Sequence, residues 1–305
     1  MKKSMIWFLI LAMILGCAGA LGEDYAVKLS APMGAPAIVV APLAAEHSEQ
    51  YTFLDASTIG AEFQKNEADF IIAPVNAGAK LYRAGKSSYR LAAVVTWGNL
   101  YLASQRENFS LDTLKETELV LFGENTINAS VVLAALAAKG VEPASVRYLA
   151  GAAETQAELA SNPEAVVITA DPALTAVKMK KEQVQSISVQ ELLKESTGMD
   201  GFAQAGLFVR KETAEEHPEA TAAYLEAVKE AAGMVQSDLT AVAEAAVALQ
   251  ILPNPKVAAA AIPGCNIRFV PAAEAKDEVE RTAAFDLSQF GGEAPAEDFY
   301  FTIGK

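Results

Sequence analysis

The chain has 305 residues, with 24 basic against 38 acidic side chains and a formal net charge of -14 at pH 7. That excess of negative charge argues against nucleic acid or an anionic membrane surface as partner. Two cysteines and two histidines are too few for a metal centre built from nitrogen and sulfur ligands.

At its start, Lys2 and Lys3 precede an unbroken apolar run from Met5 to Leu15. The run falls well short of the ~20 residues a spanning helix needs. A basic start, an apolar middle and small residues after it describe an export signal. The stretch "ILGCAG" resembles the bacterial lipoprotein signal, with Ile14 three positions before Cys17 and Gly16 next to it. This resemblance implies a signal over residues 1–16, lipid attachment at Cys17 and a lipidated tether over 17–24. An ordinary signal cut at "AGALG", with Cys17 discarded, is the alternative. Several acyl chains on Cys17 would anchor the protein stably. The rest would then fold outside the cytoplasm, with Cys265 as its one partnerless thiol and no internal disulfide. On a prior of ~150 residues per domain, the chain beyond the signal predicts two lobes, each with room for a core.

From Tyr25 short apolar runs alternate with helix-like segments. "YAVKLSAP" reads as a strand, "MGAPAIVVAPLAAE" as a loop leading into a helix, and "YTFLDA" as a second strand. "STIGAEFQKNEA" reads as a helix capped by Ser57 or Thr58, with Ile59 and Phe63 on one face. "DFIIAP" is a third, wholly apolar strand followed by the helix "VNAGAKLYRAG". Strand and helix in alternation predict a mostly parallel sheet covered on both faces. "RLAAVVTW" and "NLYLASQRE" then place two strands back to back across Gly98, and a second series begins: strand "ELVLFG", a helix closed by Gly140, strands "SVRYLA" and "AVVITA" around a helix, and a helix opening at Pro172. "GFAQAGLFVRKE" is strand-like, and the text after it reads as nearly all helix. The fold class predicted is α/β: two Rossmann-like lobes joined by a hinge, with 25–99 and 208–305 forming lobe 1 and 100–207 forming lobe 2. Gly98 and Gly201 or Gly206 are the candidate hinge glycines.

Motifs for covalent chemistry are missing. "GKSS" at Gly85–Ser88 imitates the end of a phosphate loop, but Lys80 stands where that loop requires glycine, so the stretch reads as a helix stop. No nucleophile elbow or dinucleotide fingerprint occurs, and no spacing singles out a catalytic carboxylate pair. His217, before Pro218, reads as a solvated residue at a helix start. The sequence does offer small and polar residues after strand ends, the edge where open α/β sheets bind ligands. These are Met33 and Gly34; Ser57; Asn76; Asn125 and Asn128; Thr169 and Asp171. Helix capping alone is the competing role for Ser57, Asn125 and Asp171. Thr96, Trp97 and Asn99 at the crossing between lobes, and Gln204 near the return, complete the candidate set.

The segments "FQKNEADFIIAPVNAGAKLY", "AAKGVEPASVRYLAGAAETQAEL" and "EAVVITADPALTAV", in that order, with the helical tail and the lipoprotein start, resemble the substrate-binding proteins of ABC transporters. The resemblance is to the group that binds sulfonates, taurine, nitrate and the pyrimidine precursor of thiamine. It implies the type II periplasmic-binding-protein architecture, a small-molecule ligand between the lobes, a membrane permease as partner, a monomer, and no cofactor or catalysis. The ligand stays open between sulfonates, pyrimidines and other small solutes. A lipid-anchored sensor or adhesion protein on the same fold is the alternative. A thiamine-pyrimidine synthase would need a cysteine-rich motif and a histidine that have no match here.

Overall fold

The computed structural model describes residues 25–124 and 126–304. The export signal, Cys17, the tether and Asn125 lie outside the described residues. Strands β1 (Leu29–Pro32), β2 (Tyr51–Leu54), β3 (Phe70–Pro74) and β4 (Arg90–Thr96) lead into a second group, β5 (Leu100–Ser104), β6 (Glu118–Phe122), β7 (Ser145–Leu149), β8 (Val166–Ala170) and β9 (Gln185–Ser188). The chain then returns through β10 (Ala205–Val209) and β11 (Ile267–Pro271).

Two sheets result. One has the order β11-β4-β10-β3-β1-β2, the other β7-β6-β8-β5-β9. Pairing is parallel for β1 with β2 and β3, and for β6 with β7 and β8; β10 runs antiparallel between β3 and β4, and β5 antiparallel between β8 and β9. Helices cover both faces of the first sheet, which is why the first four residues of β3 and all of β10 are buried without alternation. One face packs on Ile38, Val228, Val242 and Ile262, the other on Phe63, Val75, Val279 and Phe299. The latter core runs on through Trp97 and Phe202 into the second sheet.

Several elements differ from expectation. The β10 strand begins at Ala205, so Ala205–Leu207 pair within the first sheet, ahead of the boundary expected after Leu207. Gly206 sits inside that strand, where a Cβ would come within 2.3 Å of Leu91, and is no hinge. Residues after β2 form a 3-10 turn, Ile59–Ala61, and a single helical turn, Glu62–Lys65, with no side-chain cap from Ser57 or Thr58. Ile59 and Phe63 are nonetheless both buried. His217 is half-buried and stacks on Tyr25, with ring centroids 3.7 Å apart. Tyr25 Oη also donates to buried Asp69 at 2.6 Å, a carboxylate that Lys28 N, Thr213 Oγ1 and Arg210 Nη2 approach as well. These contacts hold Tyr25 and Lys28 beside Asp69, at the start of β3 and away from the carboxyl ends of the parallel strands.

Helix Val75–Arg83 sits on the first sheet through Gly78, where a Cβ would lie 2.4 Å from the Phe208 ring. Phe208 is fully buried and cannot retreat. Gly78→Ala is expected to cost about 1–3 kcal/mol of stability through overpacking, read as a lower midpoint in urea at constant slope; an unchanged midpoint would show that the helix is free to lift.

Candidate functional site: a cavity between the lobes

The chain crosses between the sheets twice, at Gly98–Asn99 and again just before Ala205. Both crossings meet at Trp97. Its N donates to Asn266 O (3.1 Å), and its O accepts from Asn266 Nδ2 (2.8 Å) and from Phe202 N (3.2 Å). Its indole Nε1 donates to Arg268 O at 3.1 Å, and the Arg268 guanidinium lies over the ring at 4.5 Å. Gly98 (φ 86°) and Gly201 (φ 100°) take the left-handed conformations these turns need.

Beside the crossings lies a cavity of about 620 Å³. Its walls are strand ends and the helix starts that come after them. Pro32 of β1, Pro74 of β3 and Thr96 of β4 supply one side; Phe122 of β6 and Ala170 of β8 supply the other. This is the ligand-binding edge of open α/β sheets, presented by both sheets to one space. Asn76 and Ala77 open helix Val75–Arg83, Ile127 and Asn128 open helix Ile127–Ala138, and Ala152, Ala153 and Gln156 belong to helix Ala152–Ser161. First-turn N–H groups lack partners within their own helix and carry partial positive charge. Two are already engaged: Val75 N donates to Gln204 O (3.1 Å) and Ala129 N to Thr126 Oγ1 (3.5 Å). The others are suited to an acceptor oxygen.

Among the described residues no Lys, Arg, His or Glu borders the cavity, and Asp171 is its single ionisable side chain. Polar character otherwise comes from carboxamides and from Thr96 and Thr126. Asn99 Nδ2 donates to Asp171 O (2.5 Å), Gln156 Nε2 to Ala173 O (3.2 Å), and Gln204 Nε2 approaches Asn128 Oδ1 at 3.5 Å from across the hinge. Asn76 Oδ1 is buried and unpartnered. Asp171 Oδ1 accepts from Thr175 N (3.0 Å) and Thr175 Oγ1 (2.8 Å). Burial pushes its carboxyl above the usual range, more strongly than the two Thr175 hydrogen bonds lower it.

Of the residues singled out in the sequence, Met33, Gly34, Asn76, Thr96, Asn99, Asn128, Asp171 and Gln204 all border this cavity. Three do not. Ser57 is exposed and closes a turn onto Asp55 Oδ1, while its neighbour Ala56 reaches the wall. Trp97 is 3% exposed and its ring is held against Arg268 at the hinge. Thr169 is fully buried on β8, one residue short of the strand end, with no partner for its Oγ1. Phe122, Gln156, Ile251, Leu252 and Val257 complete the wall without a sequence signal that singles them out. Phe122 is the last residue of its strand, and a search of the residues after strand ends passes over it. Ile251 and Leu252 lie between two C-terminal helices and carry no local mark of a wall. Cys265 is a free, fully buried thiol, pushed up in pKa by that burial.

Fold and cavity together give the type II periplasmic-binding-protein architecture, two α/β lobes with a cavity at the hinge. The chain superposes on an ABC transporter protein from Parabacteroides distasonis with a TM-score of 0.76 at 20% identity, covering 92% of this chain and 99% of that one. It likewise matches the periplasmic aliphatic sulphonate binding protein SsuA from Escherichia coli (TM-score 0.69, 13% identity, 92% of each chain). The alkanesulfonate-binding protein SsuA from Xanthomonas axonopodis pv. citri, bound to MOPS, gives a TM-score of 0.65 at 14% identity over 88% of this chain and 94% of that one. No family model and no curated protein matches the sequence.

The raised pKa of Asp171 fixes the sign of a pH effect. The folded chain holds this proton more tightly than the unfolded chain, so the ionised group weakens the fold above its folded pKa, and the penalty fades as pH falls through that value. Asp171→Asn is expected to be more stable than the parent near neutral pH and to lose that advantage on acidification. Paired urea titrations across that range measure it; a variant less stable than the parent at neutral pH would contradict the assignment.

Proposed function

We propose that this protein is the solute-capturing component of an ABC importer, held outside the cytoplasm by a lipid on Cys17. It takes a small polar organic molecule between its lobes and passes it to a membrane permease. The observation that carries this reading is the 620 Å³ cavity bordered by the strand ends of both sheets, with two chain crossings as its hinge. A molecule there touches both lobes at once, so its free energy of contact favours the joined arrangement over a parted one. Recognition by shape would then be communicated to a permease as a change in the relation of the lobes. The activity is binding and closure, without a covalent step.

The lining also says how a ligand would be held. Oxygens of its polar end would accept from first-turn amides and from carboxamide N–H groups, and its apolar part would lie on Phe122, Ile251 and Leu252. Among the described residues no basic side chain borders the cavity to neutralise a negative charge, so an anionic group would depend on the helix starts and the carboxamides. The sulfonates named for the two SsuA proteins are therefore one class to test beside neutral heterocycles.

A thermal-shift screen of sulfonates, pyrimidines, flavin-like compounds and small acids is the direct experiment. A true ligand at a hundredfold excess over its Kd raises stability by about 2.7 kcal/mol. Replacing both Asn76 and Gln204 by Ala is expected to weaken that ligand at least tenfold, about 1.4 kcal/mol, with the fold intact. Undiminished affinity in the double variant would remove the cavity as the binding site. Intact-mass measurement of the membrane-associated protein tests the anchor: a diacylated chain beginning at Cys17 is expected, and an unmodified chain starting after Cys17 would rule it out.

A further inference from the structure

The lobes also touch away from the two chain crossings, at Gly264. Gly264 lies in the 3-10 turn Ile262–Cys265, which connects helix Pro255–Ala261 to β11. Its carbonyl oxygen accepts from Tyr101 Oη of β5 at 3.1 Å, so the turn belongs to the first lobe and its donor to the second. A Cβ built on Gly264 would lie 2.0 Å from Asp171 Oδ2 and 3.2 Å from Tyr101 Oη. The φ of Gly264 is not in the left-handed region, so its backbone suits any L residue. Space, not conformation, is what requires glycine here.

The carboxylate opposite cannot step aside cheaply. Asp171 N donates to Asn99 O (3.1 Å) and its O accepts from Asn99 Nδ2 (2.5 Å), which binds its backbone to the first crossing. Thr175 holds Oδ1 from the other side. Next to this contact, helix Pro255–Ala261 packs against helix Ala173–Lys178, and Val257 and Ala176 of that pair reach the cavity wall.

We infer that Gly264 is a positioning residue for capture: its bare Cα is the seat on which Asp171 brings the second lobe to rest, and it sets how closely the lobes meet around the cavity. A methyl group at 264 would hold the lobes apart without touching the ligand space itself. The functional meaning rests on the two-lobe capture reading, but the geometry can be tested with no ligand, so failure to find a solute and failure of this inference are separate results.

Pulsed electron-spin distance measurements across the cavity mouth provide the test. The full chain would carry Cys17→Ser, with spin labels on Ser57→Cys in one lobe and Glu154→Cys in the other; both sites are exposed, and Cys265 is fully buried. Gly264→Ala is expected to move the distance distribution to longer values, and adding Asp171→Ala is expected to return it, since that removes the carboxylate the methyl group strikes. A merely structural role for Gly264 would change the melting temperature without this rescue. A parent-like distribution in Gly264→Ala, or a longer one that Asp171→Ala does not restore, overturns the inference. Should Gly264→Ala fail to fold, Tyr101→Phe removes the hydrogen bond without adding volume; a broadened distribution is expected, and a parent-like one counts against the seat.

Discussion

The backbone of Trp97 ties the two chain crossings to the C-terminal return. Its oxygen accepts from the second crossing through Phe202 N and from the C-terminal return through Asn266 Nδ2, while its nitrogen donates to Asn266 O. Three segments far apart in sequence are thereby tied at one residue. A Cβ on Gly201 would lie 2.2 Å from the same oxygen, so the approach is closed to any side chain. Because the cavity begins next door, at Thr96 and Asn99, its shape is inherited from this knot. Loosening Trp97 would blur the position of every wall contributed by the second lobe.

A protein of net charge -14 that lines its cavity with carboxamides and helix starts separates two tasks. The surface charge maintains solubility and self-repulsion. Within the cavity, polarity is carried by oriented dipoles, whose reach is short and whose geometry is set by the fold. Asp171 is the exception, and the structure employs much of it internally: its main chain binds Asn99, its Oδ1 binds Thr175, and its Oδ2 lies against Gly264. Its burial is tolerable because those neighbours supply polar contacts, and the raised pKa is the residue of desolvation they leave uncompensated.

How much of this is legible in the sequence depends on how local the signal is. The buried parallel strands announce themselves as apolar runs, and the helix stops at Gly85 and Gly140 take the left-handed conformations expected of them (φ 64° and 68°). Two edge strands carry no such mark. β9 and β11 each pair on one side only; "QSIS" is mostly polar, and "IRFVP" is a short apolar run broken by Arg268 amid helical text. The cavity is reachable through the rule that ligands gather after strand ends, which is why Asn76, Asn128 and Asp171 can be named from sequence. Trp97 is misplaced by that rule for a physical reason: an aromatic beside a candidate cleft reads as a wall, and only the packing of Arg268, 171 residues later, shows that its face is already taken. Gly264 has no sequence signal, since its requirement comes from a carboxylate in the other lobe.

The position of β10 has a consequence for how the chain is made. Strands β3 and β4 are not neighbours; β10 lies between them and binds both. A chain emerging from its amino end therefore delivers four strands of the first sheet that cannot close, and waits for residues 205–209 while the whole second sheet is produced. That second unit is one contiguous stretch and can assemble by itself in the interval. Meanwhile β3 and β4 present apolar, unpaired edges of the kind that invite mispairing between chains. Completion of the first sheet thus waits on residues that follow the whole inserted lobe, first β10 and then β11.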